Sequence, residues 1–259
     1  SRFPTPPMTH FADLNLPPDV IAPEERSTAD CPSLCVFGTG SDAGKSTIAA
    51  GLCRVLANGG ARPAPFKAQN MSNNATPALI TPDDGGGGGG ATHEAWGEIG
   101  VAQAVQAQAC RLAPRVEMNP LLLKSGGRRE ADGAFLCSAV VLGRAVFTET
   151  FGELAARTSA LRALVARAHA RLAASCDARV VVVEGAGSCT ELNLLARDVV
   201  NLPLARRLPR CAWLLVADID KGGVFAQIVG TRACVSEADW RSCRAIVVNR
   251  LRGEAKYFE

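Results

Sequence analysis

A glycine-rich stretch at residues 38–47 constrains the fold more than any other part of the sequence. It follows the apolar run at 34–37 and leads into an alanine-rich segment that begins at Ile48. A strand, a glycine loop and a helix start, in this order, form a phosphate-binding loop in which backbone N–H groups and the helix dipole face an anion. The alternative is a plain glycine turn before a helix, but Gly-Lys-Ser at this junction favours the phosphate loop.

The spacing within this loop differs from the usual pattern. Five residues rather than four separate Gly38 from Gly44, and Thr39 stands where a glycine is expected. In such a loop Lys45 reaches the β- and γ-phosphates, and the Ser46 hydroxyl binds Mg²⁺. The predicted nucleotide site consists of Gly40, Ser41, Asp42, Ala43, Gly44, Lys45, Ser46 and Thr47.

The composition indicates a globular protein with a sizeable core, because 47% of its 259 residues are apolar and 20% are charged. A net charge of +3 without a long basic run argues against nucleic acid as a partner. No uncharged apolar stretch reaches the roughly 18 residues of a membrane span. Ten cysteines without a Cys-x-x-Cys pair, and only three histidines, argue against zinc and favour a reducing, cytoplasmic compartment.

Strands that alternate with helices predict an α/β fold with three layers, in which a mostly parallel sheet carries helices on both faces. The β-branched run at 180–183 is typical of a strand buried on both faces. Other strands are predicted at 33–37, 62–66, 121–124, 135–142, 212–217 and 245–248. Helices are predicted after the loop and at 98–112, 148–175 and 224–235.

Three further segments carry expectations of their own. Residues 1–30 are proline-rich and are predicted to form an extended arm. Residues 75–97 include six consecutive glycines and are predicted to form a disordered surface loop. His169, within the long helix at 148–175, is expected to be a partly exposed surface residue rather than a ligand.

Polar side chains follow most predicted strands, at the sheet edge where α/β proteins bind ligands. Glu184 ends the valine strand and is a candidate Mg²⁺ ligand, or alternatively a cap for the glycine turn that follows. Glu98 is a second candidate ligand, or a first-turn helix carboxylate. Asn249 either hydrogen-bonds a purine edge or is an ordinary turn residue.

Lys67 and Lys124 follow strands and are surrounded by polar residues. Two ammonium groups at this edge would hold a polycarboxylate and stabilise the charge that develops in phosphoryl transfer, although either lysine could be a solvated surface residue. The catalytic candidates are Lys45, Lys67 and Asp42. The candidate metal ligands are Ser46, Glu98 and Glu184. The candidate substrate-binding residues are Lys67, Gln69, Asn70, Lys124 and Asp218.

Together these motifs resemble the cobyric acid synthase family, within the wider dethiobiotin-synthetase-like P-loop superfamily. The resemblance covers about residues 33–259 and depends on the order of several motifs. The matching segments are 38–46, 65–73, 97–104, 118–124, 181–194, 217–226 and 249–253. Ala68, Val101 and Glu117 stand where the family usually has Pro, Arg and Asp.

The resemblance implies an ATP-dependent amide ligase that uses ATP, Mg²⁺ and glutamine-derived ammonia. Its expected substrate is adenosylcobyrinic acid a,c-diamide, a corrinoid intermediate of vitamin B12 synthesis, whose peripheral carboxylates it would amidate. The synthetase domain is expected at 31–259, with the glutaminase domain of family members absent from this chain and ammonia supplied by a domain or subunit outside it. A homodimer is expected by analogy. A dethiobiotin-synthetase-like carboxylase and a non-catalytic nucleotide-binding module remain alternatives.

Overall fold

A computed structural model describes residues 21–80, 95–254 and 256. The strands are β1 (Ser33–Gly38), β2 (Pro63–Phe66), β3 (Gln69–Met71), β4 (Ala75–Ile80), β5 (Ala95–Gly100), β6 (Leu121–Arg128), β7 (Phe135–Val141), β8 (Arg144–Thr150), β9 (Val180–Glu184), β10 (Cys211–Asp218) and β11 (Cys243–Asn249). The α-helices are α1 (Lys45–Asn58), α2 (Val101–Ala109), α3 (Phe151–Ala156), α4 (Thr158–Ser175), α5 (Leu202–Ala205), α6 (Val224–Cys234) and α7 (Glu237–Trp240). None of these helices is long and apolar enough to cross a membrane.

Five parallel strands form the central sheet, in the order β11-β10-β1-β9-β2. The glycine loop therefore follows the middle strand, with the carboxyl ends of β9 and β10 on either side of it. The valine run lies in β9, and its residues 181–183 are fully buried. The predicted α/β fold with a mostly parallel sheet is confirmed.

Alternate residues of the central strands face two different apolar layers, as the period of a β-strand requires. Val36, Val182 and Val216 pack with Ala49 and Cys53 of α1. Their strand neighbours Phe37, Val183 and Leu215 pack on the other side with Val165, Ala168 and Leu172 of α4. The sheet is thus covered by helices on both faces. Because both sides of each strand are buried, the strands appear in the sequence as continuous apolar runs.

A second, smaller sheet has the order β3-β6-β7-β8, with β3 parallel to β6 and the other pairs antiparallel. Strands β4 and β5 form a separate antiparallel pair. The predicted strands at 121–124 and 135–142 exist, but they belong to this second sheet and not to the central one. Strand β8 was not predicted, because the turn at residues 142–143 gave no sign that a strand resumes after it.

Two predicted boundaries around the glycine run are wrong. Residues 75–80 and 95–97 are strand residues of β4 and β5 and not loop, while residues 81–94, which hold the glycines, lie outside the described residues. The helix predicted at 98–112 begins only at Val101, because residues 95–100 pair with β4. Glu98 therefore lies in a strand, and its interpretation as a first-turn helix carboxylate is wrong.

Two further element predictions need correction. Lys124 lies inside β6 and not at the end of a short strand, since β6 continues to Arg128. The single helix predicted at 148–175 is the end of β8 followed by α3 and α4, which are separated at Arg157. A capping box of Thr150 and Glu153 starts α3 and explains why the helix begins there.

The described end of the N-terminal segment packs against the domain. Glu25 is buried and accepts hydrogen bonds from the guanidinium of Arg207, at 2.7 and 3.0 Å, and from the Ser159 hydroxyl at 2.8 Å. The Ser27 N–H also donates to the Arg207 carbonyl oxygen. Residues 1–20 lie outside the described part of the chain.

His169 is fully buried, so its prediction as a partly exposed residue is wrong. The hydroxyls of Ser27 and Ser33 lie 2.8 and 3.1 Å from its two ring nitrogens, and Phe66 packs edge-on against the ring. Burial lowers the pKa of His169 to about 4. Sequence alone could not reveal this, because the two serines come from segments more than a hundred residues away along the chain.

The buried imidazole predicts a loss of stability in acid. The unfolded state takes up a proton near pH 6.5 and the folded state only near pH 4, so the contribution of His169 is fully present above pH 6.5 and falls as the pH drops. Between pH 7 and pH 4 we expect a loss of about 3 kcal/mol of unfolding free energy from this group. Urea unfolding of wild type and His169→Gln at both pH values measures it; an equal pH dependence in the two proteins contradicts the assignment.

Candidate active site

The glycine loop joins β1 to α1, and the Asn249 side chain at the end of β11 contacts it. Gly44 is the N-cap of α1 and has a φ of 96°, in the left-handed region that favours glycine. A Cβ at this position would lie 2.0 Å from Asn249 Nδ2, which donates a hydrogen bond to the Ala43 carbonyl oxygen at 2.9 Å. Asn249 thus fixes the loop with its amide nitrogen.

Lys45 is buried at the start of α1 and reaches back across the loop. Its Nζ donates to the carbonyl oxygens of Gly40 and Gly187, each at 2.8 Å. Burial lowers the pKa of the Lys45 ammonium, the nearby charge of Lys67 lowers it further, and Glu184 acts in the opposite direction. Lys45 is therefore a positive charge held in a partly desolvated position above the loop, where a phosphate would interact with it strongly.

Glu184 is the centre of the site, and its carboxylate is buried. Its Oε1 accepts from the Ser46 hydroxyl at 2.6 Å and from the Lys67 ammonium at 2.7 Å. Its Oε2 accepts from Gln106 Nε2 at 2.5 Å. Lys67 and Glu184 meet because β2 and β9 are adjacent and parallel, with Phe66 opposite Val183 immediately before them.

The glycine turn after β9 is capped by a different residue. Asn201 is buried, accepts from the Ala186 N–H at 3.1 Å and donates to the Ala186 carbonyl oxygen at 2.9 Å. A side chain at Gly185 would collide with Asn201 and Phe37. The alternative that Glu184 caps this turn finds no support in its three partners, which are side chains of α1, of the residue after β2 and of α2.

The donor set around Glu184 fits Mg²⁺. The ion takes hard oxygen ligands and is usually held by one or two carboxylates together with nucleotide phosphates. Ser46 Oγ and Glu184 Oε1 lie 2.6 Å apart, near the roughly 2.9 Å between adjacent ligands of an octahedral Mg²⁺. Within the described ranges no group of three or more His, Cys, Asp or Glu side chains could hold a metal by itself.

A second polar group lies where β3, β5 and β6 run together. Lys124 of β6 donates to Glu98 Oε2 of β5 at 2.6 Å, and both side chains are partly buried. Asn70 of β3 donates to Gln103 Oε1 of α2 at 3.1 Å. Gln69 pairs with Leu121 through the β3–β6 register. The structure thus places Glu98 in an ion pair with Lys124, while Ser46 and Glu184 bind each other.

The turns after β10 and β11 are joined by two ion pairs. Asp218 is buried and contacts Arg250 at 2.9 Å, and Asp220 contacts Arg252 at the same distance. The second oxygen of Asp218 accepts from the Asp220 N–H. Lys221 donates to the Ser41 carbonyl oxygen at 3.0 Å, so these turns also touch the glycine loop.

Among the remaining predicted residues, Asp42 and Thr47 are exposed in or beside the glycine loop, and Asp42 has a φ of 57°. Gln103, Gln106 and Asn201 were not predicted as site residues. Gln103 and Gln106 are three positions apart among alanines, which is one helix face, and both are buried. The sequence feature that could have identified them is a pair of glutamines on an otherwise apolar helix face.

Comparisons with known proteins agree with this geometry. Residues 34–258 match the family described as CobQ/CobB/MinD/ParA nucleotide binding domain. Similar curated proteins, each named Cobyric acid synthase, include one from Sphingopyxis alaskensis, 44% identical over 88% of this chain and 42% of its own length. Another from Nocardia farcinica is 47% identical over 86% of this chain and 38% of its own length. No solved structure was found to match.

The chain spans about two fifths of the length of the curated relatives it matches. The predicted resemblance to cobyric acid synthases is confirmed by these relatives at 40–47% identity. The phosphate-loop geometry and the matched residues together lead to one assignment: the chain belongs to the CobQ/CobB/MinD/ParA nucleotide binding domain family.

Proposed function

We propose that this chain is the ATP-dependent synthetase part of a cobyric acid synthase. It would amidate peripheral carboxylates of adenosylcobyrinic acid a,c-diamide through an acyl phosphate, using ammonia that a glutaminase domain or subunit outside this chain releases from glutamine. The observation that carries the proposal is the convergence of Ser46 and Lys67 on Glu184, beside Lys45 and the glycine loop. The name of the relatives supplies the substrate class.

The reaction proceeds in two steps. A carboxylate oxygen of the corrinoid attacks the γ-phosphorus of ATP, the bond to the β,γ-bridging oxygen breaks, and ADP leaves. Ammonia then attacks the carbonyl carbon of the acyl phosphate, the bond from that carbon to the bridging oxygen breaks, and inorganic phosphate leaves with the former carboxylate oxygen and the proton that the ammonia loses. The protein's task in the first step is positioning and charge neutralisation, because phosphoryl transfer needs little covalent help.

Two ammonium groups and a bound metal ion would supply this neutralisation. Lys45 binds the β- and γ-phosphates when they replace its contacts with the carbonyl oxygens of Gly40 and Gly187. Lys67, which pairs with Glu184 beside the glycine loop, would stabilise the charge that develops on the transferring phosphoryl group. Ser46 and Glu184 would hold Mg²⁺, which when bound neutralises phosphate charge.

The acceptor would bind next to the second polar group. The Lys124 ammonium would bind a corrinoid carboxylate, and without substrate it is ion-paired with Glu98. Gln69 and Asn70 on β3 would supply hydrogen-bonding side chains. Asn249 would bind the adenine edge, because its Nδ2 already anchors the glycine loop and its Oδ1 suits the exocyclic amine of a purine.

The proposal is tested by incubating the chain with ATP, Mg²⁺, ammonium chloride and cobyrinic acid a,c-diamide. We expect ADP release coupled to conversion of carboxylate to amide, detected by mass spectrometry. A diamino acid with bicarbonate serves as the comparison substrate for the carboxylase alternative. Nucleotide binding without any product would indicate a non-catalytic module, and turnover only with the diamino acid would indicate the carboxylase; either result overturns the proposal.

A further inference from the structure

In the side-chain amide of Gln106 on α2, the nitrogen makes a hydrogen bond and the oxygen makes none within the described part of the chain. This difference points to a role in the metal site. Its Nε2 donates to Glu184 Oε2 at 2.5 Å. Its Oε1 is buried and has no hydrogen-bond partner among the described residues. The whole residue is 1% exposed, so bulk water does not reach the free oxygen. Buried polar atoms are nearly always satisfied, and an exception calls for a ligand or an ordered water.

The orientation of the amide follows from its partner. Glu184 Oε2 is an ionised oxygen and only accepts, so the Gln106 atom facing it must be the NH₂ group. The Gln106 carbonyl oxygen, Oε1, therefore does not contact Glu184 and needs another hydrogen-bond donor. Ser46 and Lys67 already donate hydrogen bonds to Oε1, the other oxygen of the Glu184 carboxylate.

We propose that Gln106 is a positioning residue for the metal. Its Nε2 fixes the rotation of the Glu184 carboxylate so that Oε1 stays directed at Ser46, and its Oε1 accepts a hydrogen bond from a water in the hydration shell of Mg²⁺. Mg²⁺ keeps several waters in protein sites, and these waters are strong donors. A second-shell group of this kind orients the ligand and retains the ion without touching it. The inference rests on the metal–nucleotide site of the proposed function.

The test uses Mn²⁺ as a spectroscopic probe in place of Mg²⁺, with the 259-residue chain and ATP. Electron paramagnetic resonance of free Mn²⁺, corrected with a matched titration of ATP without protein, gives the dissociation constant of the ion in the protein–ATP complex. We expect Gln106→Met, which keeps the volume but removes both polar atoms, to weaken Mn²⁺ binding by about 10- to 100-fold. ATP binding without metal should change less than about twofold, because Gln106 contacts Glu184 and not the glycine loop.

Gln103→Met is the matched control. Gln103 lies one helical turn away on the same face, is equally buried, and also has an unpartnered amide atom, but its contact is with Asn70 and not with Glu184. We expect this variant to bind Mn²⁺ within about twofold of wild type. Equal losses in both variants would show a general effect of disturbing α2 and would overturn the proposal.

A melting-temperature measurement separates positioning from a purely structural role. If Gln106 only supported the fold, Gln106→Met would melt earlier and bind Mn²⁺ normally; unchanged Mn²⁺ affinity in a folded variant overturns the proposal. If that variant does not fold, Gln106→Asn decides, since it keeps the amide but is one methylene too short to reach Glu184, and the same weakening is expected. Amidation by a Gln106 variant with normal Mn²⁺ affinity would leave the proposed function intact and refute this inference alone. Weaker Mn²⁺ binding by the variant, together with a wild-type chain that forms no amide, would support this inference and refute the proposed function.

Discussion

We expect Lys45→Met to lower the rate of ATP-dependent amidation by about 1,000-fold or more. The ammonium donates a hydrogen bond to the Gly40 carbonyl oxygen of the glycine loop, and its burial means that water cannot take its place at the phosphates. Methionine fills a similar volume and retains no charge. The measurement is ADP release and amide formation with saturating ammonium chloride, so that the source of ammonia does not limit the rate.

Lys256→Met is the control for this substitution, because Lys256 lies among the last residues of the chain and its side chain is 58% exposed. It should keep the wild-type rate. The Lys45 variant should also remain folded, since it loses two hydrogen bonds to carbonyl oxygens and no buried counter-ion. A folded Lys45→Met protein with a rate near wild type would show that the glycine loop is not the catalytic phosphate site.

The second large effect is expected for Glu184→Gln, which should impair both stability and metal dependence. The substitution leaves the Lys67 ammonium, whose side chain is 10% exposed, without its anionic partner. Breaking a buried ion pair on one side costs about 3–5 kcal/mol, which lowers the melting temperature of a domain of this size by roughly 10 °C. Removing the carboxylate should also raise the Mg²⁺ concentration needed for half-maximal turnover by about 100-fold or more.

The double variant Glu184→Gln/Lys67→Met separates these two consequences. With both charges gone, no buried ammonium is left unpaired, and the melting temperature should recover most of the loss. The requirement for Mg²⁺ should stay as high as in the single variant, because the anionic ligand is still missing. A single Glu184→Gln variant with the wild-type Mg²⁺ requirement would contradict the assignment of Glu184 as a metal ligand.

The central sheet was predictable because its signal is local. Continuous β-branched and apolar runs mark buried parallel strands, and the polar residues just after them necessarily meet at one edge. Lys67 and Glu184 illustrate this, since they are 117 residues apart in sequence yet end adjacent strands and form an ion pair. The order of the strands was not predicted, because it depends on long-range pairing.

The second sheet and the β4–β5 pair were largely missed for a physical reason. Residues 95–100 contain two glycines and one glutamate, which weaken the strand signal of Trp96 and Ile99, and their conformation is fixed by pairing with β4. Gly97 illustrates the tertiary cause, because a Cβ there would lie 2.8 Å from Gly143. Packing against a distant turn cannot be deduced from local propensity.

Within the site, side chains at strand ends and at the glycine loop were predicted, and those on the buried face of α2 were not. Gln106 and Gln103 lie on the buried face of α2, whereas Gln108 on the same helix is exposed. Their roles depend on which face of α2 turns towards β9, and the short helix with its small alanines does not specify this orientation by itself. Asn201 was missed because its partners lie in the glycine turn after β9.

Transfer of ¹⁸O from the substrate to phosphate tests the central claim most directly. The acceptor carboxylates of cobyrinic acid a,c-diamide are labelled with ¹⁸O, and the chain is supplied with ATP, Mg²⁺ and ammonium chloride. Activation through an acyl phosphate requires that each amide formed releases an inorganic phosphate that carries an oxygen from the carboxylate. We therefore predict labelled phosphate in proportion to amide. Unlabelled phosphate, released at the same rate with or without the corrinoid, would contradict the account.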